Sequence, residues 1–130
     1  NATTEMVMVY RKKTTKLLDW NLKQYDDDVI KSSLVNDEIH KSNLWEIGPS
    51  HDKVHSAVFP VELCDRILKY YSLKGDLVLD PFAGSGTFGK AAVERERNFF
   101  MIESNVEYFE DMKKRFDKNV DINFLNADKL

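Results

Sequence analysis

Eight residues constrain this chain more than any others. Asp80-Pro81-Phe82-Ala83-Gly84-Ser85-Gly86-Thr87 follow the apolar run Leu77-Val78-Leu79 and precede the helix-forming stretch around Ala91-Ala92-Val93. A buried strand that opens into glycines and then into a helix belongs to an open α/β sheet, whose ligands bind at the carboxyl edge of the strands. Glycines let the backbone pass close beneath a ligand and adopt angles that a Cβ forbids. The start of the helix offers unpaired N–H groups to an anionic carboxylate. Gly86-Thr87 lacks the Lys that a P-loop places before its Thr, and the stretch is not a strict Gly-x-Gly-x-x-Gly pattern. Asp80, just ahead of the loop, suits a cationic ligand group instead.

The flanking sequence supplies the rest of such a sheet. Val61, Leu63, Cys64, Ile67, Leu68 and Tyr71 recur at three- and four-residue intervals, which predicts an amphipathic helix beginning just after Pro60. Asn98-Phe99-Phe100-Met101-Ile102 reads as a second strand. Tyr108, Phe109, Met112 and Phe116 mark a helix, and Ile122-Asn123-Phe124-Leu125 reads as a third strand. The alternation of strands and helices predicts a parallel α/β sheet. Glu103 ends the second strand about one strand-helix-strand unit after Asp80, where a carboxylate accepts hydrogen bonds from both hydroxyls of a ribose. The two acids and the glycines together describe an aminoacyl-nucleoside site.

The first third of the chain is less informative. Met6-Val7-Met8-Val9-Tyr10 is an all-apolar run of β-formers that predicts a strand buried on both faces. From Thr14 to Asn43 the composition turns polar, and one or two short helices with a mobile linker are expected. The chain thus divides into residues 1–50, a strand with short helices and a linker, and residues 51–130, the ligand-binding unit. Trp20, Tyr25, Trp45 and Arg11-Lys12-Lys13 admit a nucleic-acid-contacting reading, but structural roles are favoured.

Composition narrows the function classes. With 130 residues, 42% of them hydrophobic, there is material for one core. The formal net charge of -3 gives no general attraction for a phosphate backbone. Cys64 is the single cysteine, and His40, His51 and His55 have no spacing that builds a metal site with it, so no metal is expected. No apolar run has the length of a membrane span, and a cytoplasmic protein is expected. The start at Asn1-Ala2 rather than Met reads as processed or engineered.

The octet Asp80 to Thr87 resembles the cofactor-binding signature of the amino-group DNA methyltransferases that act on adenine N6 or cytosine N4. His55-Ser56-Ala57-Val58-Phe59-Pro60-Val61-Glu62-Leu63, Trp45-Glu46-Ile47 and Glu5 to Lys12 are similar to segments of the family's permuted β class. The resemblance covers most of the chain and implies a partial Rossmann-like sheet that binds S-adenosyl-L-methionine. It implies cofactor contacts from His55, Ala57, Phe59, Asp80, Pro81, Phe82, Gly84, Ser85, Gly86, Thr87, Glu103 and Ser104, with Asp128 a candidate for the adenine amino group. Ser56 replaces the family's usual Pro, and Phe88 replaces a common second Thr.

The family's catalytic Asp/Asn-Pro-Pro-Tyr/Phe/Trp tetrapeptide occurs nowhere in the sequence. The resemblance therefore implies part of a DNA-modifying enzyme of a restriction-modification system, inactive alone, meeting DNA through the complete enzyme. It also places the Leu77–Leu79 strand in mid-sheet, beside a strand this chain does not contain. An exposed apolar edge follows, to be covered by a catalytic-half polypeptide, by a homodimer partner, or by capture of the Met6–Tyr10 strand. A non-catalytic assembly or regulatory subunit and half of an RNA methyltransferase are the alternatives.

Overall fold

Pro60 at the N-cap, with φ of −58°, starts helix α2 at Val61 and carries it to Tyr71. Its Cys64 and Leu68, one turn apart, are buried against Ala91 and Ala92 of helix α3 (Thr87–Glu94). Those small side chains let the two helices approach closely. Pairs one turn apart along α2, the buried Arg66 with Glu62 and Lys69 with Asp65, accompany this packing, and Arg95 reaches Asp65 from the end of α3. This computed structural model describes residues 6–16, 18–35, 42–49, 59–116 and 124–126.

Strands β1 (Leu77–Asp80), β2 (Asn98–Glu103) and β3 (Phe124–Asn126) form a parallel sheet in the order β1-β2-β3. Leu77 stands opposite Asn98 and Asp80 opposite Met101, while Met101 and Glu103 stand opposite Phe124 and Asn126. Helix α4 (Val106–Lys114) joins β2 to β3. The core lies under one face of the sheet, where Phe99 and Met101 meet Ala91, Ala92, Phe109 and Met112, with Val78 packed at its margin.

Ahead of these elements, a 3-10 turn (Leu18–Gln24) and helix α1 (Asp27–Ser33) match the expected short helices. They fasten to the turn that feeds β1, because Tyr25 donates its hydroxyl to Asp76 and Lys74 donates its N–H to Ser33. Gly75, at φ of 84°, makes that turn possible, and its N–H reaches the carbonyl of Glu96 at 2.8 Å. Arg97, buried without a carboxylate partner among the described residues, ties the turns together through Ser72 and the carbonyl of Arg95.

Two expectations are corrected. Met6–Tyr10 is not a buried strand: it has no regular structure, and Met6 and Tyr10 are more than four-fifths exposed. A strand is stable only against a neighbour that completes its ladder, and none of the described strands pairs with this run. It does not fill the gap beside β1. Leu77–Leu79, expected as a buried strand, is buried on one face alone, since Leu77 is 67% and Leu79 60% exposed. A parallel sheet is apolar on both faces when helices cover both, and the core here lies on the other side. As expected, β1 stands at the sheet's edge, pairing among the described strands with β2 alone.

Met101 has no exposed surface and sits at the centre of the core. Met101→Ala is expected to destabilise the fold by about 2–5 kcal/mol. Urea unfolding reads this as a lower midpoint at an unchanged slope.

Candidate cofactor site

The loop from Asp80 to Thr87 leaves β1 and is stitched to the neighbouring strand. Ala83 donates its N–H to the carbonyl of Ile102 at 3.0 Å, and Gly84 donates to Glu103 Oε2 at 2.7 Å. Glu103 Oε1 accepts the N–H of Asn105 at 2.8 Å. One buried carboxylate at the end of β2 thus holds both the glycine loop and the entry to α4. Asn105 then caps α4 by accepting the N–H of Tyr108. These structural duties of Glu103 and Asn105 went unread in the sequence. Asn105 carried a usable signal, a capping residue one place ahead of an apolar-periodic helix.

Gly84 and Gly86 both have positive φ, 52° and 79°. A Cβ on Gly86 would lie 2.8 Å from Met112 Cγ, so the close packing of the loop on α4 also requires glycine there. Gly86 is the N-cap of α3, and no side chain caps that helix or puts an acid in its first turn. The helix start therefore presents its N–H groups without a built-in anion. Ser85 and Thr87 share a hydroxyl contact of 2.9 Å inside the turn.

Asp80 accepts the N–H of Phe82 at 3.0 Å, and among the described residues no cation pairs with it. Burial pushes its carboxyl above the ordinary carboxylate range; the Phe82 N–H pulls it back, and the charge of Glu103 pushes it up again. A half-buried acid held toward its neutral form, beside an uncapped helix start, fits a zwitterionic amino-acid group. Such a group brings a cation for the acid and a carboxylate for the helix.

The structure brings Asp80, Gly84, Ser85, Gly86, Thr87 and Glu103 to one end of the sheet, with Pro81 and Phe82 exposed at the outer turn. Ser104 is exposed directly after β2. Phe59 lies at the entry to α2, and its ring meets Phe88, the second residue of α3, edge-on at 6.4 Å between centroids. His55, Ala57, His40, His51 and Asp128 lie outside the described residues. Among the described residues there is no cluster of three potential metal ligands, and no helix is long and apolar enough to cross a membrane. Burial pushes the Cys64 thiol up to about 12, which removes it as a nucleophile near neutral pH.

A profile of the N6/N4 DNA methylase family matches residues 1–114. The chain belongs to this DNA methylase family. It is 31% identical over 126 residues to the type II methyltransferase M2.DpnII of Streptococcus pneumoniae, covering 92% of this chain and 44% of that protein. It is 34% identical over 97 residues to M2.MboI of Moraxella bovis, covering 71% of this chain and 35% of that one. The putative DNA modification methylase TTHA0409 of Thermus thermophilus, solved with S-adenosyl-L-methionine, superimposes with a TM-score of 0.64 at 27% identity. That match covers 92% of this chain and 45% of the other. The chain thus spans less than half the length of these relatives. Its sheet and helices are part of the Rossmann-like fold of S-adenosyl-L-methionine-dependent methyltransferases, as expected.

The raised carboxyl of Asp80 has a consequence for stability. Its ionisation opposes folding, and the penalty sets in as pH rises from the carboxyl's unfolded value through its raised folded one. Asp80→Asn, which still accepts the Phe82 N–H, is expected to melt with the parent at low pH. Above that window it melts at a higher temperature, as thermal scans across a pH series will read. Glu103→Gln puts a donor amide against one of two backbone N–H groups and is expected to cost about 1–3 kcal/mol, measured by denaturant titration.

Proposed function

We propose that this chain is the S-adenosyl-L-methionine-binding part of an adenine-N6 or cytosine-N4 DNA methyltransferase of a modification system. A polypeptide segment outside these 130 residues completes it. One observation carries the reading: the Asp80–Thr87 loop is locked to β2 by Glu103, which sets a half-buried acid with no described cation beside an uncapped helix start.

In this reading Asp80 takes the cofactor's ammonium group, and the first N–H groups of α3 take its carboxylate. Both oxygens of Glu103 already accept one backbone N–H, and each keeps a second lone pair for a ribose hydroxyl. Ser104 lines the nucleoside end, and Phe59 borders the other; His55 and Ala57 are assigned to the cofactor on the resemblance alone. Residues 51–130 then form the cofactor-binding half-domain, and residues 1–50 the recognition-region remnant of a cytoplasmic enzyme. S-adenosyl-L-methionine supplies a methyl group on a sulfonium, which passes directly to an amino nitrogen.

The protein's part in such a displacement is to position the reactants and exclude water. The tetrapeptide that would hold the target amino group is missing, since Pro49, Pro60 and Pro81 are the only prolines and no two are adjacent. The chain alone is therefore a binder and not a catalyst. The edge of β1 is where the completing polypeptide adds: Leu77, Leu79, Ile67, Tyr71 and Phe88 line a groove of about 410 Å³ along it. A second reading, a non-catalytic assembly subunit, draws on the same exposed edge.

Calorimetric titration tests the reading. S-adenosyl-L-methionine and S-adenosyl-L-homocysteine are expected to bind in preference to ATP and NAD, and DNA incubated with the chain alone to gain no methyl groups. Asp80→Asn weakens binding by about tenfold or more through loss of the charge-assisted contact, and Gly84→Val, strained at positive φ, removes it. Affinity rises with pH through the raised Asp80 value in the parent and stays flat there in Asp80→Asn. Absence of selective binding would move the assignment to the assembly reading, and methylation by the chain alone would sink the half-site.

A further inference from the structure

We infer that Phe88 is a positioning residue for the cofactor site, holding Phe59 as a wall at the Asp80 end of the glycine loop. This rests on the reading of the loop as the S-adenosyl-L-methionine site and names the residue that shapes one end of it.

Phe59 has little to hold it in place. It precedes Pro60, the N-cap of α2, and is 55% exposed. Its ring contact is with Phe88, whose plane it meets at 76°. Phe88 is well anchored: it packs on the buried core while reaching the groove beside Leu77 and Leu79. It is also the residue after Thr87, so its ring is fixed relative to the end of the loop.

The position of the pair along the sheet decides which end of the ligand it flanks. Phe88 borders the outer edge of β1, the strand that ends in Asp80, whereas Glu103 ends β2 on the far side of the loop. The amino-acid group belongs with Asp80 and the start of α3, and the nucleoside with Glu103. Phe59 and Phe88 therefore stand beside the amino-acid end. An apolar ring there keeps water from the ion pair of Asp80 with the ammonium and strengthens it. A small polar residue at position 88 would leave Phe59 without its edge-to-face partner and free to swing into solvent.

The test compares ligands with and without the amino-acid end on the purified 130-residue chain. Titrations use S-adenosyl-L-methionine, S-adenosyl-L-homocysteine and 5′-methylthioadenosine, which keeps the nucleoside alone. Phe88→Thr is expected to weaken the first two by roughly three- to tenfold, the scale of an edge-to-face aromatic pair, and to leave the third unchanged. Phe88→Tyr restores affinity. Phe59→Ala loses as much as Phe88→Thr, and the double variant loses no more than either. Phe88→Leu, which keeps apolar bulk without the ring, replaces the threonine variant if that one does not fold. Equal weakening of all three ligands, or additive losses in the double variant, would show a merely structural Phe88 and overturn the inference. A parent chain that binds S-adenosyl-L-methionine no better than ATP would instead overturn the underlying assignment, whatever the variants do.

Discussion

The carboxylate of Glu103 is the point on which the geometry of this protein turns. It is only 8% exposed, and no cation pairs with it among the described residues. A buried charge is tolerable only when its lone pairs are filled, and here the N–H groups of Gly84 and Asn105 fill one on each oxygen. Those two groups belong to different crossovers. The bond to Gly84 spans nineteen positions of sequence and pins the glycine loop from β1 onto the end of β2. The bond to Asn105 sets the angle at which α4 departs, and α4 carries Met112, against which Gly86 packs. Loop, helix start and strand end are thereby held in one frame.

Within that frame the site stands against the stability of the fold that makes it. Asp80 is desolvated and lies near a second carboxylate, so its ionised form opposes folding until a cation arrives. An uncapped helix N-terminus and two glycines at positive φ are likewise features a chain selected for stability alone would lose. The three costs meet in eight residues; in the proposed reading the ligand's ammonium offsets the first and its carboxylate the second, while the glycines let the backbone pass close beneath it.

The exposed Leu77 and Leu79 extend the same logic to assembly. Among the described strands β1 pairs with β2 alone, and this edge strand is the one that carries the loop. Whatever covers β1 comes within reach of the cofactor site by construction.

Sequence alone determined a good deal here. Helix α2 after Pro60, the strands at Leu77 and Asn98, the helix through Phe109 and Met112, and the Asp80–Thr87 loop were all legible. Each follows from periodicity, from glycine's backbone freedom or from a break in an apolar run, all of which are local. Tertiary structure decided what depends on neighbours far along the chain. Met6–Tyr10 and Leu77–Leu79 are equally apolar, yet the first has no ladder and the second is covered on one face, because burial belongs to the partner surface and not to the run. Glu103 read as a ligand for ribose, and only the fold disclosed that it holds Gly84. Phe88 read as a departure from a familiar pattern, and only the packing of α2 against α3 set its ring against Phe59. A sequence states which groups are available, but hydrogen bonds and ring contacts between distant residues exist only once the chain has closed around them.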